Sequence, residues 1–277
     1  MKQRIHLLMR LLSLLLLMLL AGPVRAESAL IDAHIHYSHD AWERFDPERA
    51  IAVLREARLK RAFVSSSSDE GTQKLYRLAP ELVVPVLRPY RQRGETHSWM
   101  HDDSVVAMLA RLLQTNRYAG IGEFHASAVD YDLPVLRQVI ALAREHGIFL
   151  HAHTGGDGID RIFQIDPDAR VLWAHAGFED AEVVGEKLRR YPNLWADLAF
   201  REEIASAGIV DTPWRGLFES FPRRFLVGTD TYTPARWTHV VDHAAFARAW
   251  LGTLPAEVAE NIAYRNAEAL LESVGWR

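Results

Sequence analysis

No cysteine occurs among the 277 residues, so no disulfide framework staples this fold and no lipidated cysteine anchors it. Positive charge is also short. The 32 Lys and Arg residues face 36 Asp and Glu, without the basic surplus that nucleic-acid binding calls for. Sixteen glycines and twelve prolines are too few for a collagen-like or low-complexity chain. The longest apolar run, Leu11 to Leu20, is about half of the ~20 residues that a bilayer-spanning helix needs. What is present is 49% apolar and 25% charged, a globular composition, in a length that one α/β barrel can fill.

The first 26 residues read as a secretory signal peptide. Lys2, Arg4 and Arg10 charge the start, the apolar run follows, Gly22-Pro23 breaks it, and Val24-Arg25-Ala26 offers small residues where a signal peptidase reads. The rival reading, a transmembrane anchor, suffers from the short run. Cleavage is expected near Ala26, leaving residues 27–277 as an exported domain, periplasmic or secreted, with no stable membrane span. Losing Lys2, Arg4, Arg10 and Arg25 leaves 28 basic side chains against 36 acidic ones, a net charge of −8. A small molecule is the expected partner, and no nucleic acid.

From Ala29 onward, short apolar runs alternate with segments of helical period. The runs Ala29–His36, Ala62–Ser66, Leu82–Leu87, Tyr118–Glu123, Ile148–His153, Arg170–His175, Asn193–Phe200 and Phe225–Thr229 read as strands. Amphipathic stretches between and after them read as helices: Pro47–Leu59, Gly71–Ala79, Asp103–Leu113, Leu133–His146, Gly158–Ile165, Asp180–Tyr191, Thr212–Phe221 and Trp237–Leu251. Eight strand and helix repeats with uniformly apolar strands predict a (β/α)8 TIM barrel, an α/β single domain. A doubly wound open sheet is the alternative. Asp46-Pro47 and Asp132 mark helix starts, and Gly147 a helix end. The tail from Pro255 to Val274 adds extra C-terminal helices outside or beneath the barrel.

Chemistry in such a barrel belongs at the C-terminal ends of the strands. The first strand ends Asp32-Ala33-His34-Ile35-His36, and alternation puts His34 and His36 on one side, where two imidazoles can hold one metal ion. Glu123 closes the fourth strand, His151 and His153 the fifth, His175 the sixth, and Asp230 follows the eighth. Taken singly, each has a structural explanation: a satisfied polar residue, or, for Asp230, a turn cap. Five strand ends of eight bearing metal-competent groups at one edge point instead to a divalent ion. The mixed imidazole and carboxylate set suits Zn, with Mn, Fe or Co also compatible. His97, His101, His146, His239 and His243 fall in helices or loops and need no role.

This pattern resembles the amidohydrolase superfamily of metal-dependent hydrolases over essentially the whole mature chain, from Ile31 to Asn266-Ala267-Glu268-Ala269-Leu270. Leu172-Trp173-Ala174-His175-Ala176-Gly177 and Leu226-Val227-Gly228-Thr229-Asp230 are most similar to its amidohydrolase-related branch. The resemblance implies that His34 and His36 hold a first metal with Asp230 as a further ligand. It also implies that His175 and a strand-five histidine complete that site or hold a second ion. Glu123 then stands where two-metal members use a bridging carboxylate, often a carboxylated lysine; no lysine lies in this strand. The alternative for Glu123 is to orient a histidine. The family register favours His153 over His151 as ligand, leaving His151 one layer away to meet substrate or water.

The implied chemistry is hydrolysis of an ester, lactone, amide or related bond of a small molecule by a metal-activated water, with Asp230 as the catalytic base and then acid. Arg88 and Arg91 after the third strand, Arg201 after the seventh and Tyr232 after the eighth are candidates for binding substrate. Ser65–Ser68 with Asp69 and the loop from Arg88 to His101 could also line the site. Nonoxidative decarboxylation and phosphoester cleavage are the alternatives within the superfamily. An exported metal- or ligand-binding protein without catalysis is the alternative outside it.

Overall fold

Eight parallel strands, β1 (Leu30–Ile35), β2 (Leu59–Val64), β3 (Val83–Leu87), β4 (Gly120–His125), β5 (Phe149–His153), β6 (Val171–Trp173), β7 (Leu194–Asp197) and β8 (Phe225–Leu226), pair in sequence order in a computed structural model that describes residues 29–277. The expected signal peptide lies outside the described residues. Hydrogen bonds from Ala33 N to the Val227 carbonyl and from His36 N to the Thr231 carbonyl, both 2.8 Å, bring β8 back to β1. The result is the expected (β/α)8 barrel. Each strand is followed by a helix that covers it, which is why the strands are apolar on both faces.

Local chemistry starts and stops these helices as expected, with one exception. Asp46 Oδ1 accepts the Arg49 N–H at 2.8 Å at the head of Pro47–Glu56, and Gly147, at φ +65°, ends Pro134–His146 in the left-handed conformation that favours glycine. Asp132 caps nothing. It closes a short 3₁₀ turn, Ala128–Asp132, and accepts from Arg137 at 2.9 Å, while Leu133 precedes the helix and Pro134 opens it.

Strand boundaries move where the barrel turns into the mouth. β6 stops at Trp173 and β7 at Asp197, two and three residues short of expectation, and regular pairing in β8 covers only Phe225 and Leu226. β4 instead continues two residues beyond Glu123 to His125. The register shifts between Asp32 and Ile35 in β1 and between Gly122 and Phe124 in β4. Bulges of this kind re-aim side chains, and His34 and Glu123 sit inside them.

Two apolar layers result. Ile31, Ala33, Phe63, Val86, Phe149 and Leu172 fill the barrel interior, and the C-terminal helix Asn266–Ser273 seals that interior with Leu270 and Leu271. Asn266 fixes the helix by donating from Nδ2 to the carbonyls of Pro222 and Phe225, at 3.0 and 2.8 Å. The larger layer, from Leu54 and Leu75 round to Trp250, lies between barrel and helices. Leu270 is fully buried, so Leu270→Ala should lower the free energy of unfolding by about 2–5 kcal/mol, measured by urea denaturation. An unchanged midpoint would mean that the tail does not seal the barrel.

Candidate active site

The bulged end of β1 directs both histidines of Asp32-Ala33-His34-Ile35-His36 to the mouth. Buried Asp32 holds that end in place, accepting from His34 N at 3.0 Å and from Thr229 N and Oγ1 at 3.1 and 2.7 Å, which ties β1 to β8. Burial, only partly offset by these bonds, pushes the Asp32 pKa up to about 6. Glu123 follows Gly122, where φ is +139° and a Cβ would lie only 2.2 Å from the His151 carbonyl oxygen, so no larger residue fits. His175, Phe200 and Asp230 adopt left-handed φ values of +56°, +54° and +46° as the chain leaves β6, β7 and β8. Such non-glycine strain clusters at functional sites, and here it turns side chains into the mouth.

The donors converge. Nε2 of His34 and His36 are 3.1 Å apart, Glu123 Oε2 lies 3.5 and 3.3 Å from them, and Asp230 Oδ1 lies 3.7 and 3.1 Å from them. A tetrahedral ion with bonds of about 2.0–2.2 Å separates its ligands by about 3.3–3.6 Å, close to these five separations. Their hydrogen-bond partners agree. The Nδ1 atoms of His36 and His175 meet the carbonyls of Ser65 and Ala199 at 2.7 and 2.9 Å. A carbonyl cannot donate, so each Nδ1 carries a proton, and it is Nε2 that a neutral ring would turn to a metal. His175 Nε2 faces Glu123 Oε1 at 3.5 Å and Asp230 Oδ2 at 3.8 Å. Both carboxylates therefore present one oxygen to the β1 histidines and the other to His175.

The electrostatics favour a cation. Burial opposes charge on His34, yet Asp197, Asp230 and Glu123 outweigh it and raise its pKa well above the usual histidine value. Burial would likewise raise Glu123, but the His34 charge and hydrogen bonds from His153 and His175 hold it well below the carboxylate range. Against the same burial, His34 and His36 hold Asp230 at about 2. A pocket that draws a proton so strongly onto an imidazole draws a divalent ion by the same field.

Asp197 is the principal residue missed by the sequence reading. Fully buried, it accepts from His34 Nδ1 at 3.2 Å, His151 Nε2 at 2.8 Å and the backbone N–H groups of His175 and Ala199 at 3.0 and 3.1 Å. Its signal was the one used for the other strands, a metal-competent side chain at a strand end, obscured by extending β7 to Phe200. His125 was missed similarly. It follows Glu123 at the same i, i+2 spacing as His36 follows His34, and it stacks on His153 with centroids 4.0 Å apart. Tyr90 accepts from its backbone N–H at 2.8 Å and meets its Nδ1 at 2.9 Å.

The mouth is a cavity of about 500 Å³ lined by His36, Arg88, His125, His153, His175 and Asp230, among others. His153 Nδ1 lies 2.7 Å from Glu123 Oε1 at the partly open rim. His151 is one layer below, bonded to Asp197, and lines no part of this cavity, so it is not placed to meet substrate. Arg88 does line it, with its guanidinium on Glu123 Oε2 at 2.9 Å. Arg201 does not: it donates to the carbonyls of His175 and Glu179, both at 2.9 Å, and pairs with Glu203, so it braces the β6 loop from behind. Arg91 is engaged by Glu95 and Asp102 at 2.8 Å each. Tyr232 stands on the rim, 42% exposed.

Asp197→Ala would leave His34 Nδ1, His151 Nε2 and two backbone donors without their acceptor. Breaking a buried pair of this kind costs about 3–5 kcal/mol. That loss should appear in urea denaturation, and a change below about 1 kcal/mol would show that the network is dispensable.

The amidohydrolase family model matches residues 31–272. No curated protein matches the sequence. Among solved structures, an uncharacterized TIM-barrel protein of Bordetella bronchiseptica is 16% identical, with a TM-score of 0.62 over 89% of this chain and 99% of that one. A probable 2-pyrone-4,6-dicarboxylic acid hydrolase of Acinetobacter baumannii with citric acid bound is 12% identical, with a TM-score of 0.54 over 88% and 99%. A zinc-bound amidohydrolase of Burkholderia multivorans is 12% identical, with a TM-score of 0.52 over the same shares. These likenesses are of fold. The family match spans the barrel from β1 to the C-terminal helix, and the chain belongs to the amidohydrolase family and is an enzyme of that superfamily.

Proposed function

We propose that this protein is an exported metal-dependent hydrolase that cleaves an ester, lactone, amide or related bond of a small molecule. The observation that carries the reading is the convergence of His34 and His36 with Asp230 Oδ1 on one side and Glu123 Oε2 on the other, at separations close to those a small divalent ion requires. His34, His36, Asp230 and Glu123 Oε2 would hold the first ion. His175 and Glu123 Oε1, with His153 beside them, could hold a second. Zinc suits this nitrogen and oxygen set best, with manganese, iron or cobalt next. When bound, such an ion polarises a carbonyl and lowers the pKa of water toward neutrality.

The protein's own residues supply the rest. Asp230 borders the cavity and is ionised at neutral pH, so it can accept the proton of the attacking water and return it to the leaving group. Asp197 fixes the ring of His34, and carbonyls fix those of His36 and His175, so the three imidazoles keep their orientation. Arg88 neutralises part of the charge on Glu123 while presenting a cation to the cavity.

Asp230→Asn should reduce turnover by about 10²- to 10⁴-fold and retain part of the metal; undiminished turnover would remove Asp230 from the mechanism. Chelation should abolish activity on an ester, lactone and amide panel, and zinc should restore it. Full activity in a metal-stripped sample would overturn the metal dependence. Elemental analysis separates one ion per chain, with Glu123 supporting a histidine, from two, with Glu123 bridging. Carbon dioxide release without net addition of water would replace hydrolysis by decarboxylation.

A further inference from the structure

The mouth has two unlike sides. Over β2 to β4 it presents Arg88, Tyr90, Arg93 and His125, with Arg93 paired to Asp40 at 2.7 Å. Over β6 to β8 it presents three aromatic rings: Phe178, 55% exposed and stacked on His175 at 4.7 Å, then Phe200, then Tyr232. Exposed rings beside buried ionised groups are costly unless something apolar covers them.

Behind Phe200 lies a second cavity, an annex of about 400 Å³ walled by Leu198, Ile204, Val227, Phe246 and Trp250. Phe200 lines both cavities, so the two adjoin at its ring. It stands at a left-handed φ of +54° with the Arg236 guanidinium 3.9 Å above its ring, and its centroid lies 6.0 Å from that of His175. The annex wall also carries polar residues, Glu202, Glu203, Ser206 and Thr229 besides two arginines and a histidine, although most of its surface is apolar. Arg236 donates to the carbonyls of Thr229 and Asp230, Arg201 to that of His175, and His243, whose buried Nδ1 has no hydrogen-bond partner among the described residues, stands nearby. A cavity of this size whose surface is mostly apolar and whose arginines are held by backbone carbonyls is how small-molecule sites are built.

We infer that the annex is an acyl subsite: the substrate is an amphiphilic ester or related acyl compound whose medium-length aliphatic chain passes Phe200 into the annex while its polar part stays on the Arg88 side. The assignment rests on the hydrolase reading for its reaction, in which water adds across the acyl bond and releases a carboxylic acid and an alcohol or amine. It rests on the cavity alone for its binding. The apolar surface of the annex, and Phe200 shared with the aromatic side of the mouth, select an aliphatic chain as occupant. The arginines in the annex wall hold the backbones of His175 and Asp230, so the subsite abuts the reacting groups.

The test uses the metal-loaded protein and two readouts. Calorimetric titration with acetate, butyrate, hexanoate and octanoate should show affinity rising by about fourfold per added methylene until the annex is full. Ala247→Phe, which places a ring in the annex from the helix Val240–Leu251, should flatten that rise and leave acetate binding unchanged. Ile204→Trp fills the annex from a second element, the turn Glu202–Ala205, and should do the same, which covers failure of either variant to fold. Phe200→Gly should keep the rise, since it removes only the ring at which the two cavities adjoin. Equal affinity at all chain lengths, or a rise that survives both filling variants with circular dichroism and metal content intact, overturns the subsite. Turnover of 4-nitrophenyl acetate and octanoate is followed in parallel. Chain-dependent binding with no cleavage of either ester or of the lactone and amide panel sinks the hydrolase reading and keeps the annex, whereas cleavage with flat binding sinks the annex alone.

Discussion

Three buried carboxylates around one imidazole are the constraint on which the site depends. Glu123, Asp197 and Asp230 surround His34, and none of the three can be buried as an anion without compensating positive charge. The compensation comes from the His34 ring and from Arg88 on Glu123, and the convergence of His36 and His175 on the same carboxylates leaves a place for a further cation. Stability and chemistry are coupled here. The group that orients His34 also bonds His151 and the backbone of the β6 loop, so the polar network of the mouth acts as one unit.

That unit exists because the strands are irregular where they end. A regular parallel strand sends alternate side chains to opposite faces, and regular continuation of β1 or β4 would give the next inward position to Ile35 in β1 and leave Glu123 without its present aim. The bulges in both strands and the left-handed residues after β6, β7 and β8 break the alternation at one rim. The cost of each irregularity is carried by the apolar layers below, where alternation is kept and the C-terminal helix closes the interior.

The rim is also asymmetric in polarity. The elements that follow β2 to β4 bring arginine, tyrosine and histidine, and those that follow β6 to β8 bring exposed rings backed by an apolar cavity. A site so divided discriminates by orientation: a substrate with one polar and one apolar end has a single favourable way to lie across the metal-binding groups.

The sequence by itself determined the number and order of the strands, the helices between them, the pairing of His34 with His36, and the presence of a metal-competent group at five strand ends. Those features follow from local periodicity and from residue type, both legible along a single chain. It did not determine which histidine of β5 reaches the mouth, nor that Asp197 and His125 belong to the site, because residues two apart share a face and only the level at which each strand ends in the closed barrel decides which of them reaches the mouth. Nor could it tell that Arg88 faces the cavity on Glu123 while Arg201 and Arg91 are held by carbonyls and carboxylates elsewhere. An arginine's partners lie up to tens of residues away in sequence, and only the closed barrel brings them within reach. The annex is a product of tertiary structure alone, since its walls come from the loop after β7, the end of β8 and the helix Val240–Leu251, and none of these is apolar enough to announce a cavity before they meet.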